Sequence, residues 1–201
     1  MLLMRTTHLL YLHGFRSSPQ SAKASIMAAL VRQQHPAVRW WCPQLPPSPK
    51  DAMQLVADGL LRWQQEPGFE NLAVMGSSLG GFYATAVAER FGCRAVLLNP
   101  AVTPERSLSE YIGEQTSWHD ASEHFFFEPR FVDELHALQA GALKAPENYL
   151  AIIAKGDEVL DWREMAARYA HAQLCLLEGG DHALSDFERH LPLIFDFLKL
   201  A

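Results

Sequence analysis

The sequence predicts an α/β fold: a mostly parallel sheet of six short strands with helices on both faces, in one domain over residues 1–201. Three observations carry this reading. Short apolar runs alternate with longer helix-like segments along the chain, the pattern of strands joined by helical crossovers. The runs are apolar at consecutive positions, as strands covered on both faces require. Finally, a glycine-rich turn, "MGSSLGG" at 75–81, joins one run directly to a helical segment.

The strand runs are 8–12, 38–42, 72–75, 95–98, 150–154 and 174–177. Helical segments lie between them near 20–34, 51–65, 80–91, 131–139, 162–171 and 186–199. "PQLPPSPKD" (43–51) reads as a rigid surface connection, with Asp51 the expected cap of the helix that follows. Asp161 stands where the fifth helix should begin and suits an N-cap. Ser185 and Glu188 match a capping box at the start of the last helix, and Pro192 predicts a kink within it.

Residues 101–146 exceed what one crossover needs and are rich in aromatics: Tyr111, Trp118, Phe125, Phe126, Phe127 and Phe131. This insertion is expected to cover one end of the sheet and shape a pocket there. Simple packing of those rings onto the body is the alternative.

Composition narrows the class. A chain of 201 residues, 49% hydrophobic and 20% charged, has the makeup of a soluble globular protein with one core. A net charge of −6 argues against a nucleic-acid partner, because phosphate-backbone affinity rests on clustered Lys and Arg. No apolar run approaches the ~18 residues of a membrane span. The opening "MLLMRTTHLLYLHGF" lacks the charged, apolar and small-residue order of a signal peptide. Cys42, Cys93 and Cys175 are odd in number and widely spaced, which predicts no metal site and free thiols. Cys175, inside an apolar run, is expected to be buried. Free thiols fit a reducing compartment, so the expected location is cytoplasmic.

The serine turn supplies the chemistry. Gly76-Ser77-Ser78-Leu79-Gly80 matches G-x-S-x-G in the strand–turn–helix context that motif needs, with Ser78 central. A sharp turn there projects the Ser78 hydroxyl outward, and the helix start offers the Leu79 N–H to a developing oxyanion. Ser77 lacks the flanking glycine, since Met75 lies two residues before it. No phosphate-loop or dinucleotide fingerprint follows, and no cofactor is expected.

A serine hydroxyl needs a base, and the base needs an orienting acid. "LAIIAKGDEVLDW" delivers Asp157 into the loop after one run, and "QLCLLEGGDHALSDFE" delivers His182 after the next. Serine, acid and histidine thus follow the α/β-hydrolase order, each on a strand-end loop at one sheet edge. Asp161 remains an alternative acid. Glu158 is expected to be solvated, and Asp181 to shape the Gly179-Gly180 turn. His8, His35, His136, His171 and His190 fall in strands or helices away from that edge, whereas His119 and His124 lie in the insertion and could line a pocket. "LLYLHGFRSSP" offers a second oxyanion donor, the Phe15 N–H, with His13 making a structural hydrogen bond beneath the loop. Arg16 and Lys23 stand near this loop and could meet a phosphate-bearing leaving group; solvated surface charge is the other reading.

"YLHGFRSSPQSAKA", "GSSLGGFYAT", "NPAV", "GDEVLDW" and "EGGDHALSDFERHLP" together resemble the small bacterial YqiA-type esterases of the α/β-hydrolase superfamily, from about residue 8 to 200. The resemblance implies a shortened hydrolase sheet, esterase or acyl-thioesterase activity, and Ser78, Asp157 and His182 as nucleophile, acid and base. The usual superfamily acid loop has Pro where this chain has Asp161, and 113–130 match the family least.

The expected function is hydrolysis of small-molecule carboxylic esters or acyl thioesters, acyl-CoA included, without metal or cofactor. Two other readings stay open: carbon–carbon or amide hydrolysis on the same three residues, and a catalytically silent binding protein on this scaffold.

Overall fold

The computed structural model describes residues 5–118 and 120–201. Six strands form one sheet: β1 (His8–Leu12), β2 (Arg39–Trp41), β3 (Leu72–Ser77), β4 (Arg94–Leu98), β7 (Tyr149–Ala154) and β8 (Gln173–Leu177). Their order is β2-β1-β3-β4-β7-β8, and every pairing is parallel. Helices α1 (Ala22–Gln34), α2 (Pro49–Trp63), α3 (Leu79–Phe91), α6 (Trp162–Arg168) and α7 (Leu191–Leu198) connect and flank them.

The two-residue period of a strand divides the core. Leu10, Leu12, Val74, Leu97, Ala151 and Ile153 pack with α2, α3 and α6 on one face. Leu9, Tyr11, Met75, Val96, Leu98 and Ile152 pack with α1 and α7 on the other. Because both faces are covered, the central strands read as continuous apolar runs. The strand ends shift by up to two residues from the expected ones. No helix among the described residues is long and apolar enough to cross a membrane.

Four local expectations are corrected. The second helix begins at Pro49, and its cap is Ser48, whose Oγ accepts from Asp51 N at 3.1 Å. Proline lacks the N–H that a helix start leaves unused, so the helix reaches back past Asp51. The capping box at Ser185 does not form, because Ser185 N and Oγ both donate to Asp181, at 2.9 and 2.6 Å. A 3-10 turn over Phe187–His190 follows, and α7 starts only at Leu191. Pro192 therefore sits in a first helical turn, where it breaks no hydrogen bond and makes no kink. The cysteines are free, but Cys175 is half-buried; Cys93 alone is fully buried, its thiol pushed up to about 12 by desolvation.

The stretch between β4 and β7 holds more than the one helix read from sequence. It contains α4 (Pro104–Leu108), the antiparallel hairpin of β5 (Gly113–Thr116) and β6 (His124–Phe127), and α5 (Pro129–Ala137). Phe127 and Phe131 join the main core, while Phe126 points to solvent. Phe125 sits against Phe15, with ring centroids 5.9 Å apart.

Candidate active site

Ser78 stands between β3 and α3 at φ 56° and ψ −122°, a backbone state that L-residues rarely adopt. The flanking glycines explain how the turn is held. A Cβ on Gly76 would lie 2.0 Å from the Gly80 carbonyl oxygen, and one on Gly80 would lie 1.9 Å from the Leu12 carbonyl oxygen. Backbone from β1, β3 and α3 therefore meets at contact distance, and only glycine fits there. Ser77, by contrast, is buried within the strand.

Three side chains from three strand-end loops form a hydrogen-bonded line. His182 Nε2 lies 3.0 Å from Ser78 Oγ, and His182 Nδ1 lies 2.8 Å from Asp157 Oδ2. The carboxylate oxygen facing Nδ1 can only accept, so Nδ1 carries the proton and Nε2 is left to accept from the serine. The Asp157 side chain is fully buried, and its other oxygen accepts from Val159 N and Leu160 N, both at 2.8 Å. Asp161 is not part of this line. It caps α6 through Arg163 N at 2.9 Å, as its position before the helix suggested.

Further contacts hold the histidine loop. Glu158 is exposed, as its sequence context suggested, and also accepts from His182 N at 3.0 Å. Asp181, read as shaping the glycine turn, instead caps the turn after His182 through Ser185, and those bonds hold its carboxyl below the usual range. Lys23 of α1 donates to the Ala183 carbonyl rather than facing the serine, and burial lowers its pKa.

Asn99 makes a contact that the sequence reading did not single out. Fully buried at the end of β4 with φ 41°, it donates from Nδ2 to the carbonyls of Asp181 and His182, at 3.0 and 3.1 Å. Its Oδ1 accepts from Ala154 N at 2.8 Å. One amide thus joins β4, β7 and the histidine loop. Asparagine is among the few residues that tolerate this backbone state, and a polar residue ending an apolar run was the only hint available.

Phe15 and Leu79 line the same cavity as Ser78 and His182, about 590 Å³ in volume, with Tyr111 and Trp118 of the insertion on its wall. Among the described residues no carbonyl takes the Phe15 or Leu79 N–H. His13 is buried beneath the loop: its Nε2 accepts from Leu45 N at 3.0 Å, so Nδ1 donates to Gly14 O at 2.9 Å. A neighbouring cavity of about 750 Å³ shares Phe15, Arg16 and Leu79 and includes His124 and Phe125. His119 lies outside the described residues.

Known proteins agree with this architecture. A UPF0227 protein of Serratia proteamaculans (strain 568) is 25% identical over 195 residues, 96% of this chain and 99% of its own length. Alpha/beta hydrolase domain-containing protein 10 from mouse superposes with a TM-score of 0.69 at 14% identity, covering 98% of this chain and 92% of its own. A structure from work on the metagenome-derived lipolytic enzymes LipS and LipT also reaches 0.69, at 17% identity and 98% and 96% coverage. At these identities the solved structures establish the α/β-hydrolase fold. Residues 8–199 match the model of "Uncharacterised protein family (UPF0227)", and the chain belongs to that family, the YqiA-type group its motifs resemble.

Proposed function

We propose that the protein is a serine hydrolase of small-molecule carboxylic esters or acyl thioesters. The observation that carries this reading is the hydrogen-bonded line from Asp157 through His182 to a serine held in a strained strand-to-helix turn. The description of the LipS and LipT work as concerning lipase and esterase families adds support by analogy.

Ser78 Oγ attacks the acyl carbonyl while His182 Nε2 takes its proton. Asp157 keeps the imidazole in the productive tautomer and stabilises its charged form. The Leu79 and Phe15 N–H groups donate to the carbonyl oxygen and stabilise the charge that builds on it. Collapse expels the alcohol or thiol, which leaves with the proton held by His182. Water then attacks the acyl-serine with His182 again as base, releasing the acid and restoring the hydroxyl.

Labelling with a fluorophosphonate followed by peptide mapping tests the nucleophile. The expected adduct is on Ser78, and Ser78→Ala should lose on the order of 10⁶-fold in turnover while remaining folded. Ser77→Ala should keep most activity. Labelling at Ser77, or an active Ser78→Ala variant, would overturn the assignment.

A further inference from the structure

Arg16, the residue after Phe15, is fixed more firmly than a surface arginine. Its backbone is left-handed at φ 58°, and its carbonyl accepts from Trp118 N at 2.8 Å. Its Nε donates to Thr116 O at 2.5 Å, and its Cζ lies 4.2 Å from the centre of the Trp118 ring. One edge and one face of the guanidinium are thereby taken up by the insertion. The two terminal nitrogens remain, a fork that matches a carboxylate in bidentate geometry.

Charge accounting separates this arginine from its neighbours. Arg106, the other guanidinium on the Ser78 cavity, is closed on Glu164, with both carboxylate oxygens 2.6 Å away. No carboxylate among the described residues pairs with Arg16, although it lines both cavities and adjoins the Phe15 N–H. Glu110 and Asp161 also line that cavity, while the Glu164 carboxylate is closed on Arg106. Such a lining opposes a multiply charged phosphate group but leaves room for one negative charge at Arg16.

Building on the Ser78 reading, we propose that the substrate carries a single carboxylate, in its acyl chain or its leaving group, and that the Arg16 fork binds it. Arg16 is then a specificity-determining residue.

The test uses the full chain and two matched ester pairs. In one, 4-nitrophenyl hydrogen adipate and 4-nitrophenyl hexanoate place or omit a carboxylate on the acyl side. In the other, 4-carboxyphenyl and 4-carbamoylphenyl hexanoate do so on the leaving side. The wild type should prefer the carboxylate member of at least one pair by kcat/KM, and that pair identifies the side. Arg16→Met should lower this preference by about 10- to 100-fold, the scale of a charge-assisted hydrogen bond. Arg16→Lys should fall between, because an ammonium keeps the charge without the fork, and it decides the matter if the methionine variant melts early. Unchanged ratios for both pairs, with neutral esters cleaved and Ser78 labelled, would sink the carboxylate proposal alone. A greater Arg16 dependence on hexanoyl-CoA than on either pair would sink the single-charge form. Absence of both labelling and cleavage would remove the hydrolase reading, and this proposal with it.

Discussion

The side-chain amide of Asn99 donates to the main-chain carbonyl of His182 across 3.1 Å, joining the end of β4 to the loop that faces Ser78. The same nitrogen reaches the Asp181 carbonyl, so the two peptide groups flanking the His182 Cα hang from a single buried group. His182 is held by this network as well as by Asp157.

Asn99→Asp keeps the shape and exchanges the donor for an acceptor facing two carbonyl oxygens. Buried polar groups left without partners cost about 1–3 kcal/mol each, so the loop should loosen and fluorophosphonate labelling of Ser78 should slow. Turnover is expected to fall more than KM rises, because substrate contacts are untouched. A variant with reduced stability but a wild-type labelling rate would confine Asn99 to a folding role.

Asp157→Asn should cost about 10⁴-fold in turnover. Its oxygen would stay on the Val159 and Leu160 amides, turning the new NH₂ toward His182 Nδ1 and favouring the wrong tautomer. Asp161→Asn retains an oxygen to cap α6 and should cost far less. Steady-state kinetics of both variants decides between them; the reverse order of effects would move the acid to Asp161.

Two aromatics of the insertion should respond differently. Trp118 is 73% exposed on the cavity wall, whereas Phe127 is 1% exposed in the core. Each methylene against an apolar wall contributes up to ~0.8 kcal/mol, so Trp118→Ala should shift the preferred acyl length across acetyl, butyryl and octanoyl esters. Phe127→Ala should instead lose about 3–5 kcal/mol of stability, visible in thermal melts. An unchanged length profile in Trp118→Ala would remove that ring from the acyl wall.

Far from the site, His8 is buried edge-on to Trp63, with ring centroids 4.9 Å apart, and its Nε2 has no hydrogen-bond partner among the described residues. Desolvation lowers its pKa below the ordinary 6.5, outweighing the opposing charge of Glu66. The unfolded chain therefore binds this proton more readily than the folded one. The stabilisation is complete above ~6.5 and disappears as pH falls through the lower folded value. Urea denaturation between pH 5 and 8 should show the acid loss in the wild type and a shallower slope in His8→Phe. Identical slopes would assign the loss to other groups.

What the sequence determined by itself was whatever local chemistry controls. The four central apolar runs specify strands because burial on both faces leaves no polar position in the middle of a strand. The glycines at 76 and 80 specify the Ser78 turn because no side chain fits where backbones touch. The resemblance to a known family rested on the same local motifs. The β5–β6 hairpin escaped notice because "GEQT" has no apolar alternation and "HFFF" has no polar one, so neither shows a half-buried period. The Ser185 cap failed for a related reason: the pattern was present, but Asp181 competed for the same groups. Tertiary structure alone decided the grip of Asn99 and Glu158 on the His182 loop and the stacking of Arg16 on Trp118. Those contacts join residues distant in sequence, and whether such groups meet depends on how the sheet packs its loops together at one edge.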